Sequence, residues 1–244
     1  ILHIDYPDID ELKVVYTSLI KTILKLSNKH IGKIQESTWK SFDNVKKLCE
    51  TILSIYSNIK KKFHRDEYRH YMFNPRDLTE WVFGLLRYNL SQVTLLDALY
   101  YEATHLFRDR LVTNDSMKRY DSILKQILKK VWNYDTNPIQ LFTTLEILDD
   151  DHLDQVETEV SVEIPLLKDI GKFLNVVDNK IYHQTIKDVL YAYEREFKEL
   201  NILLFPEILE HVASIERVLT RPGGHMLLVG ASGVGRRTAT TIVC

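Results

Sequence analysis

Glycine, cysteine and proline are all scarce in this chain of 244 residues, which has eight glycines, two cysteines and six prolines. Cys49 and Cys244 lie far apart, which argues against a disulfide framework and favours a reducing compartment. Few glycines precede residue 223, as suits helices better than a turn-rich β domain. Apolar runs fall short of the roughly 20 residues that span a bilayer, and a signal-peptide pattern is missing, so we expect an intracellular protein without membrane insertion.

An excess of either charge is also missing. The 32 basic and 34 acidic side chains give a net charge of −2, so nucleic acid is not an expected partner. The hydrophobic fraction of 45% is ample for one large or two small packed domains. Because the chain begins with Ile1 and ends at Cys244 soon after a glycine loop, we expect both ends to be cut from a longer protein.

Apolar side chains recur every three or four residues over long stretches, the period of an amphipathic helix. One such stripe contains Cys49, which is therefore predicted to be a small core side chain rather than a reactive thiol. Residues 2–4 resemble the end of a strand. Helices are predicted over residues 11–26, 36–63, 75–88, 91–111, 116–132, 183–200 and 206–219.

The clearest helix start is the run Asn74, Pro75, Arg76 and Asp77. Asparagine is a favoured N-cap, proline fits the first helical position, and an acid in the first turn complements the helix dipole. The sequence therefore predicts a helix that begins at Pro75 and passes through Trp81.

Between Lys130 and Lys168 the chain has neither lysine nor arginine. We interpret this stretch as a solvated connector or insertion. A calcium site or a site for a basic partner is the alternative, but the spaced ligands and glycine of a calcium loop are missing. The acids that accumulate here are Asp135, Glu146, Asp149, Asp150, Asp151, Asp154, Glu157, Glu159 and Glu163.

Five of the eight glycines fall between Gly223 and Gly235. Three of them, Gly230, Gly233 and Gly235, follow an apolar segment, 226–229, that is predicted to be a short buried strand. The string 230–238 is close to G-x-x-x-x-G-K-[ST], in which backbone N–H groups cradle phosphates, lysine reaches the outer phosphates and the hydroxyl holds Mg²⁺. Arg236 stands at the lysine position and Arg237 at the hydroxyl position. We expect phosphate binding to survive and metal-dependent turnover to be weak or absent, unless Thr238 supplies the oxygen.

Other chemistry-bearing groups favour ordinary structural roles. Glu102 and His105 form one Glu-x-x-His, whereas a helical di-metal centre needs two. The basic cluster 60–65 is followed at once by acids and is interpreted as a hydrated helix end. The histidines lack zinc-ligand spacing, so no metal site is predicted.

Three ordered segments carry a family resemblance. Residues 70–85 resemble the part of the third AAA+ module of dynein heavy chains that carries the sensor-2 position. Residues 102–111, ending in Asp-Arg-Leu, resemble the next helix of that family. Residues 203–219 are similar to the stretch that enters the fourth module. The Gly-Arg-Arg-Thr run of the loop, with residues 81–88 and 107–109, looks most like the dyneins of intraflagellar transport. Axonemal dyneins also place an arginine after the last loop glycine, but a small polar residue usually follows it, and Arg237 departs from that pattern.

The resemblance implies a mainly α fold. Residues 1–131 would be the end of the third module's large subdomain plus its helical lid, 132–200 an acidic connector and helix, and 201–244 the opening strand and phosphate loop of an α/β large subdomain. It further implies a minus-end-directed microtubule motor ATPase of cytoplasm and cilium. Its partners would be neighbouring AAA+ modules, microtubules bound by a stalk outside this chain, and dynein accessory subunits.

The resemblance also assigns site residues. Arg76 would be the sensor-2 arginine; the alternative is a surface arginine. Leu203 and Leu204 would pack near adenine; the alternative is plain core. ATP or ADP would be held, with Mg²⁺ in doubt, by the loop residues Gly230, Ser232, Gly233, Val234, Gly235, Arg236, Arg237 and Thr238.

Three alternatives remain open. The chain could come from an axonemal dynein heavy chain. It could come from another protein with several AAA+ modules, such as a ribosome-assembly ATPase. It could also be a non-enzymatic helical scaffold with a relic loop that binds a partner through the acidic connector.

Overall fold

The computed structural model describes residues 7–30, 39, 41–90, 93–135, 141–145, 170–197, 203–231 and 233–244. The chain divides into two compact units, Ile1–Pro138 and Ile139–Cys244. Within the described ranges, helices are too short or too polar to cross a bilayer. The predicted strand end at residues 2–4 and most acids of the connector lie outside the described residues.

The first unit is helical, as predicted from the period of its apolar residues. Two 3-10 turns, Leu85–Arg87 and Arg108–Arg110, extend the third and fourth helices. The five helices are α1 (Ile9–His30), α2 (Phe42–Lys62), α3 (Pro75–Gly84), α4 (Leu95–Phe107) and α5 (Asn114–Trp132).

Most predicted helix bounds are close to those observed. The second helix is an exception, since it was predicted from residue 36 and begins at Phe42. Capping explains two smaller differences. The fourth helix begins at Leu95 rather than near residue 91, because the side chain of Thr94 accepts the N–H of Asp97. The fifth begins two residues earlier than predicted, after Thr113, which caps the N–H of Ser116. It ends at Asn133, whose left-handed conformation (φ 51°) stops the helix.

Helix α2 lies at the centre of the first unit, with α1 and α5 packed against it. Its apolar stripe is fully buried, and the stripe includes Cys49, so the prediction of a core cysteine is confirmed. Burial raises the pKa of the Cys49 thiol, which therefore stays neutral at physiological pH. The Trp132 indole at the end of α5 donates a hydrogen bond of 3.0 Å to the hydroxyl of Thr51, which joins α5 to α2.

Trp81 joins α3 to α4. Its side chain is completely buried, its indole N–H donates to the carbonyl of Leu99 at 3.0 Å, and its ring meets that of Phe107 edge-on at 5.4 Å. A large aromatic side chain buries much apolar surface, and the hydrogen bond of its N–H fixes its orientation. Trp81 therefore fixes how α3 lies against α4.

The second unit combines a two-stranded sheet with helices. Strands β1 (Leu141–Thr143) and β2 (Asn175–Val177) are antiparallel, with Leu141 opposite Val177 and Thr143 opposite Asn175. The helices are α6 (Asn179–Glu196), α7 (Pro206–Leu219) and α8 (Arg236–Val243). The α7 bounds match the prediction, whereas α6 begins four residues before the predicted start at His183. The sheet was not predicted.

A buried carboxylate on α7 holds the end of β1. Glu216 accepts the hydroxyl of Thr143 at 2.7 Å, and the N–H and hydroxyl of Thr144 at 2.9 and 2.5 Å. Buried charge is tolerated when hydrogen bonds surround it. The sheet is thereby fixed to α7, which also carries much of the unit's core.

The prediction of a buried strand at residues 226–229 is wrong. The segment pairs with no strand of the described residues, and Leu227 and Val229 are 86% and 83% exposed. A strand needs a neighbour for its backbone hydrogen bonds, and within the described residues no other strand pairs with this segment. The mainly α class is otherwise the observed architecture.

Candidate functional site

The glycine loop bends back on itself before α8. Gly233 and Gly235 have φ of 84° and 78°, a left-handed conformation that costs glycine little and other residues much. A Cβ added to Gly230 would stand 3.2 Å from Cγ2 of Val234, so the start of the loop lies against its far side. Ser232 lies outside the described residues. The other loop residues therefore come together in one tight turn.

Helix α8 presents free backbone donors to this loop. Its first intrahelical hydrogen bond runs from the N–H of Ala239 to the carbonyl of Gly235, at 2.9 Å. The N–H groups of Arg236, Arg237 and Thr238 precede that bond, and Gly235 has no side chain to cap them. Such a helix start, with its positive dipole end, is a ready anion site.

Two guanidinium groups add full positive charge at the same place. Arg236 is half-buried and Arg237 is exposed, and neither side chain has a hydrogen-bond or ion-pair partner in the part of the chain that the structure describes. A Cβ added to Gly230 would lie 3.8 Å from Cδ of Arg236, so the aliphatic part of the Arg236 side chain lies close to the start of the loop. The residues present fit the phosphates of a nucleotide in charge and in donor supply.

The hydroxyl groups of α8 differ in their availability. Thr240 and Thr241 donate to the carbonyls of Arg236 and Arg237, both at 3.0 Å. The hydroxyl of Thr238 is half-buried and makes no hydrogen bond to the residues that the structure describes. With an arginine at the usual hydroxyl position, Thr238 is the one first-turn side chain that could offer oxygen to a metal ion.

Helix α8 is held by packing against α7. Ala239 is buried in the same core as Ile208, and Cδ1 of Ile208 lies 3.9 Å from a Cβ position on Gly235. Leu204 is partly buried against this core, whereas Leu203 is 83% exposed. Of the two leucines predicted to pack near adenine, Leu203 is therefore the one with a free apolar surface.

Arg76 lies in the first turn of α3, in the other compact unit. The capping box around it is complete: Oδ1 of Asn74 accepts the N–H of Arg76 at 2.9 Å, and Oδ2 of Asp77 accepts the N–H of Asn74 at 2.7 Å. The start of α3 is thus confirmed as predicted. The Arg76 side chain is exposed and has no partner among the described residues.

Sequence reasoning missed two residues that hold this turn. Nη2 of Arg110 donates to Oδ1 of Asp77 at 2.8 Å, and the hydroxyl of Tyr16 donates to the carbonyl of Pro75 at 2.7 Å. Arg110 lies 33 residues from Asp77 and Tyr16 lies 59 residues from Pro75, so no local sequence pattern indicates either contact. The sequence indicated Pro75 and Asp77 as parts of the helix start, but not the residues that hold them.

Glu102 and His105, the other chemistry-bearing pair noted in the sequence, have structural partners. Glu102 is buried and accepts the hydroxyl of Tyr88 at 2.6 Å, while Nδ1 of His105 pairs with Asp109 at 2.7 Å. The basic cluster forms the last turn of α2, where cations complement the helix dipole. Lys61 and Lys62 line an open cavity of about 460 Å³ together with residues of α5.

Two family models match the chain. The first is the dynein heavy chain ATPase lid domain, over residues 19–117, and the second is the P-loop containing dynein motor region D4, over residues 200–244. The first match lies in the helical unit that carries Arg76. The second begins before α7 and includes the glycine loop and α8.

Whole-chain relatives agree with the models. The chain is 37% identical to cytoplasmic dynein 2 heavy chain 1 of Tripneustes gratilla and 34% identical to that of Homo sapiens, over 100% and 98% of its length. Identity to the cytoplasmic dynein heavy chain of Drosophila melanogaster is 26%. The chain spans about 6% of the length of the two dynein 2 relatives and 5% of the Drosophila protein. The resemblance to dynein heavy chains of the dynein 2 type is confirmed, and the chain belongs to the dynein heavy chain family.

Proposed function

We propose that this chain links the third and fourth AAA+ modules of a dynein heavy chain. Residues 1–131 form the end of the third module's large subdomain and its lid, 132–200 the connector, and 201–244 the opening of the fourth module. The observation that carries the proposal is the glycine loop that leads directly into α8. There the first N–H groups of the helix have no side-chain cap, and the guanidinium groups of Arg236 and Arg237 have no partner among the described residues. The positions of the two family matches support the same order.

The longer protein is a minus-end-directed microtubule motor that hydrolyses ATP and serves intraflagellar transport in the cytoplasm and cilium. The names of the dynein 2 relatives support this assignment. Neighbouring AAA+ modules are the direct partners of this chain. Microtubules and accessory subunits bind elsewhere in the heavy chain.

The loop binds the phosphates of ATP or ADP and turns nucleotide over weakly or not at all. Amides of the loop, including those of Ser232 and Val234, and the N-terminus of α8 would hold the phosphates, with Arg236 in place of the usual lysine. Mg²⁺ supplies charge neutralisation in phosphoryl transfer when it is bound. Because Arg237 brings a cation to the position of the usual metal-binding hydroxyl, the loop favours anion binding over metal binding.

Arg76 serves the nucleotide of the preceding large subdomain. Its guanidinium is exposed, has no partner among the described residues and extends from the first turn of the lid helix α3. A bidentate fork suits phosphate oxygens. A lid that contacts nucleotide in one module and is joined by the connector to the next can couple the two sites, because nucleotide state then biases how the modules dock.

The test is titration of a fluorescent ATP analogue onto a heavy-chain segment extended through the complete fourth large subdomain. We expect saturable binding that Gly235→Ala weakens at least about tenfold, since alanine disfavours the left-handed conformation of the loop. Gly223→Ala is the matched control, because Gly223 has a similar φ of 65° outside the loop with no atom near its Cβ position. An absence of saturable binding would support the scaffold alternative. Rapid hydrolysis by this module would contradict the weak-turnover assignment.

A further inference from the structure

The residues on either side of Arg76 are anchored from outside α3. On one side, the carbonyl of Pro75 accepts a hydrogen bond of 2.7 Å from Tyr16 of α1. On the other, Asp77 accepts Nη2 of Arg110 at 2.8 Å. Arg76 itself is fixed through its backbone N–H, which Asn74 accepts. Three successive residues are thus held, Pro75 and Arg76 through the backbone and Asp77 through its carboxylate, while the guanidinium of Arg76 has no partner among the described residues.

The Asp77 contact is the strongest of these anchors. Its carboxylate is only 7% exposed, and both oxygens are used, one by Arg110 and one by the N–H of Asn74. A charge-assisted bond to a buried carboxylate is shorter and stronger than a neutral one. The guanidinium of Arg110 also lies over the ring of Phe73 at 5.9 Å, which restricts its orientation.

Arg110 is in turn held by its own backbone. It ends the 3-10 turn that follows α4, and its carbonyl contacts Nε2 of His70 at 3.0 Å. The next stretch is joined to the same region by the N–H of Val112, which donates to the hydroxyl of Tyr71 at 3.0 Å. A shift at the end of α4 is therefore transmitted through Arg110 to the first turn of α3.

Other arginines of the same unit are used differently. Arg108 pairs with Asp121 through Nε at 2.9 Å, and Arg119 lies within 3.5 Å of carboxylates of Glu67 and Asp115. These guanidinium groups are engaged inside the lid. Arg76 combines an anchored backbone with an exposed head, the arrangement of a side chain prepared for a ligand outside its own unit. Pre-organisation of this kind lowers the entropy lost on contact.

We propose that Arg110 and Tyr16 are positioning residues for Arg76: they act through Asp77 and Pro75 to aim its guanidinium at nucleotide phosphates of the preceding large subdomain. The inference rests on the proposed role of Arg76. It adds a mechanical link, because the corner after α4 sets the direction of the arginine that contacts nucleotide.

The test is a double-mutant cycle in a full-length heavy chain whose other nucleotide sites are disabled, with dissociation of fluorescent ADP from the third module as the measured rate. We expect Arg76→Ala to accelerate dissociation about tenfold, the size of a lost charge-assisted contact. Arg110→Ala should accelerate it several-fold when Arg76 is present and cause no further change in the Arg76→Ala background. Arg110→Lys should restore part of the effect, and Tyr16→Phe should give a smaller, equally non-additive acceleration.

Arg108→Ala is the matched control, since it breaks an ion pair of similar length in the same 3-10 turn without touching α3. We expect it to leave dissociation unchanged. Equal acceleration by Arg110→Ala in both backgrounds would overturn the inference, because general loosening of the lid does not depend on Arg76. A normal rate for Arg110→Ala alone would also overturn it while leaving the role of Arg76 intact. A normal rate for Arg76→Ala would instead remove the proposed role of Arg76 in nucleotide binding. Should Arg110→Ala fail to fold, Tyr16→Phe carries the same comparison.

Discussion

Tyr88 donates its hydroxyl to Oε1 of buried Glu102 at 2.6 Å, which joins the end of the α3 segment to the middle of α4. The other oxygen of the same carboxylate lies 2.5 Å from the position that a Cβ on Gly84 would occupy. A side chain at position 84 would therefore collide with Glu102. Glycine is needed there for this close approach and not for an unusual backbone conformation, because Gly84 is helical.

Gly84→Ala should destabilise the chain by about 1–3 kcal/mol, the usual cost of overpacking a tight core. Alanine favours a helix over glycine by about 0.5–1 kcal/mol, so a change at an open helical position would stabilise instead. Urea unfolding followed by circular dichroism measures the difference. A gain in stability would show that Glu102 moves aside freely.

Glu216→Ala should destabilise the second unit by about 1–3 kcal/mol, since it leaves the buried Thr143 hydroxyl and the N–H of Thr144 without their acceptor. Hydrogen exchange at the Thr144 amide should rise in parallel. Glu210→Ala is the matched control, because Glu210 is an exposed glutamate on the same helix. Equal effects of the two changes would contradict the assigned role of Glu216.

Cys49 should resist alkylation under native conditions, while exposed Cys244 reacts. The thiolate is the reactive form, and burial raises the pKa of the Cys49 thiol. Because the folded thiol holds its proton more tightly than the unfolded one, stability is unaffected below the unfolded pKa of about 8.5 and falls as pH rises above it through the folded value. Peptide mass spectrometry after iodoacetamide treatment between about pH 7 and 9.5 reads both sites. Similar rates at the two cysteines would contradict the prediction.

Arg236→Lys with Arg237→Ser restores the common phosphate-loop pattern and should make nucleotide binding depend on Mg²⁺. We expect an increase in affinity of about tenfold in the presence of the metal ion, since serine supplies a ligand oxygen where arginine repels the cation. Arg236→Lys with Arg237→Lys is the matched control, which keeps the charge but has no hydroxyl group. Calorimetry of the extended segment with and without Mg²⁺ measures the change. If Mg²⁺ also raised the nucleotide affinity of the control variant, the serine hydroxyl would not be the cause of the metal dependence.

Local signals predicted the start of α3 and the loop before α8. Asn74, Pro75 and Asp77 act within one turn, and the glycines at 233 and 235 occupy positions where φ is positive. Each element depends on residues that are adjacent in sequence. Such features can be predicted without knowledge of the fold.

Features that depend on distant partners could not be predicted. Residues 226–229 have the composition of a buried strand but no strand beside them among the described residues, so composition alone misled. Strands β1 and β2 have three residues each, too few for a clear alternating pattern. The link between Asp77 and Arg110 depends on how α3 meets the end of α4, which only packing determines.

Residues 226–229, between α7 and the glycine loop, combine exposed leucine and valine side chains with backbone groups that pair with no strand of the described residues. Exposed backbone of this kind is a template for association with other chains, and native proteins usually cover it or place charged residues beside it. During synthesis of a heavy chain, this stretch would need early shielding by later strands or by a chaperone. Heavy-chain segments that end soon after residues 226–229 should therefore aggregate at high concentration, unless Leu227 and Val229 are replaced by polar residues.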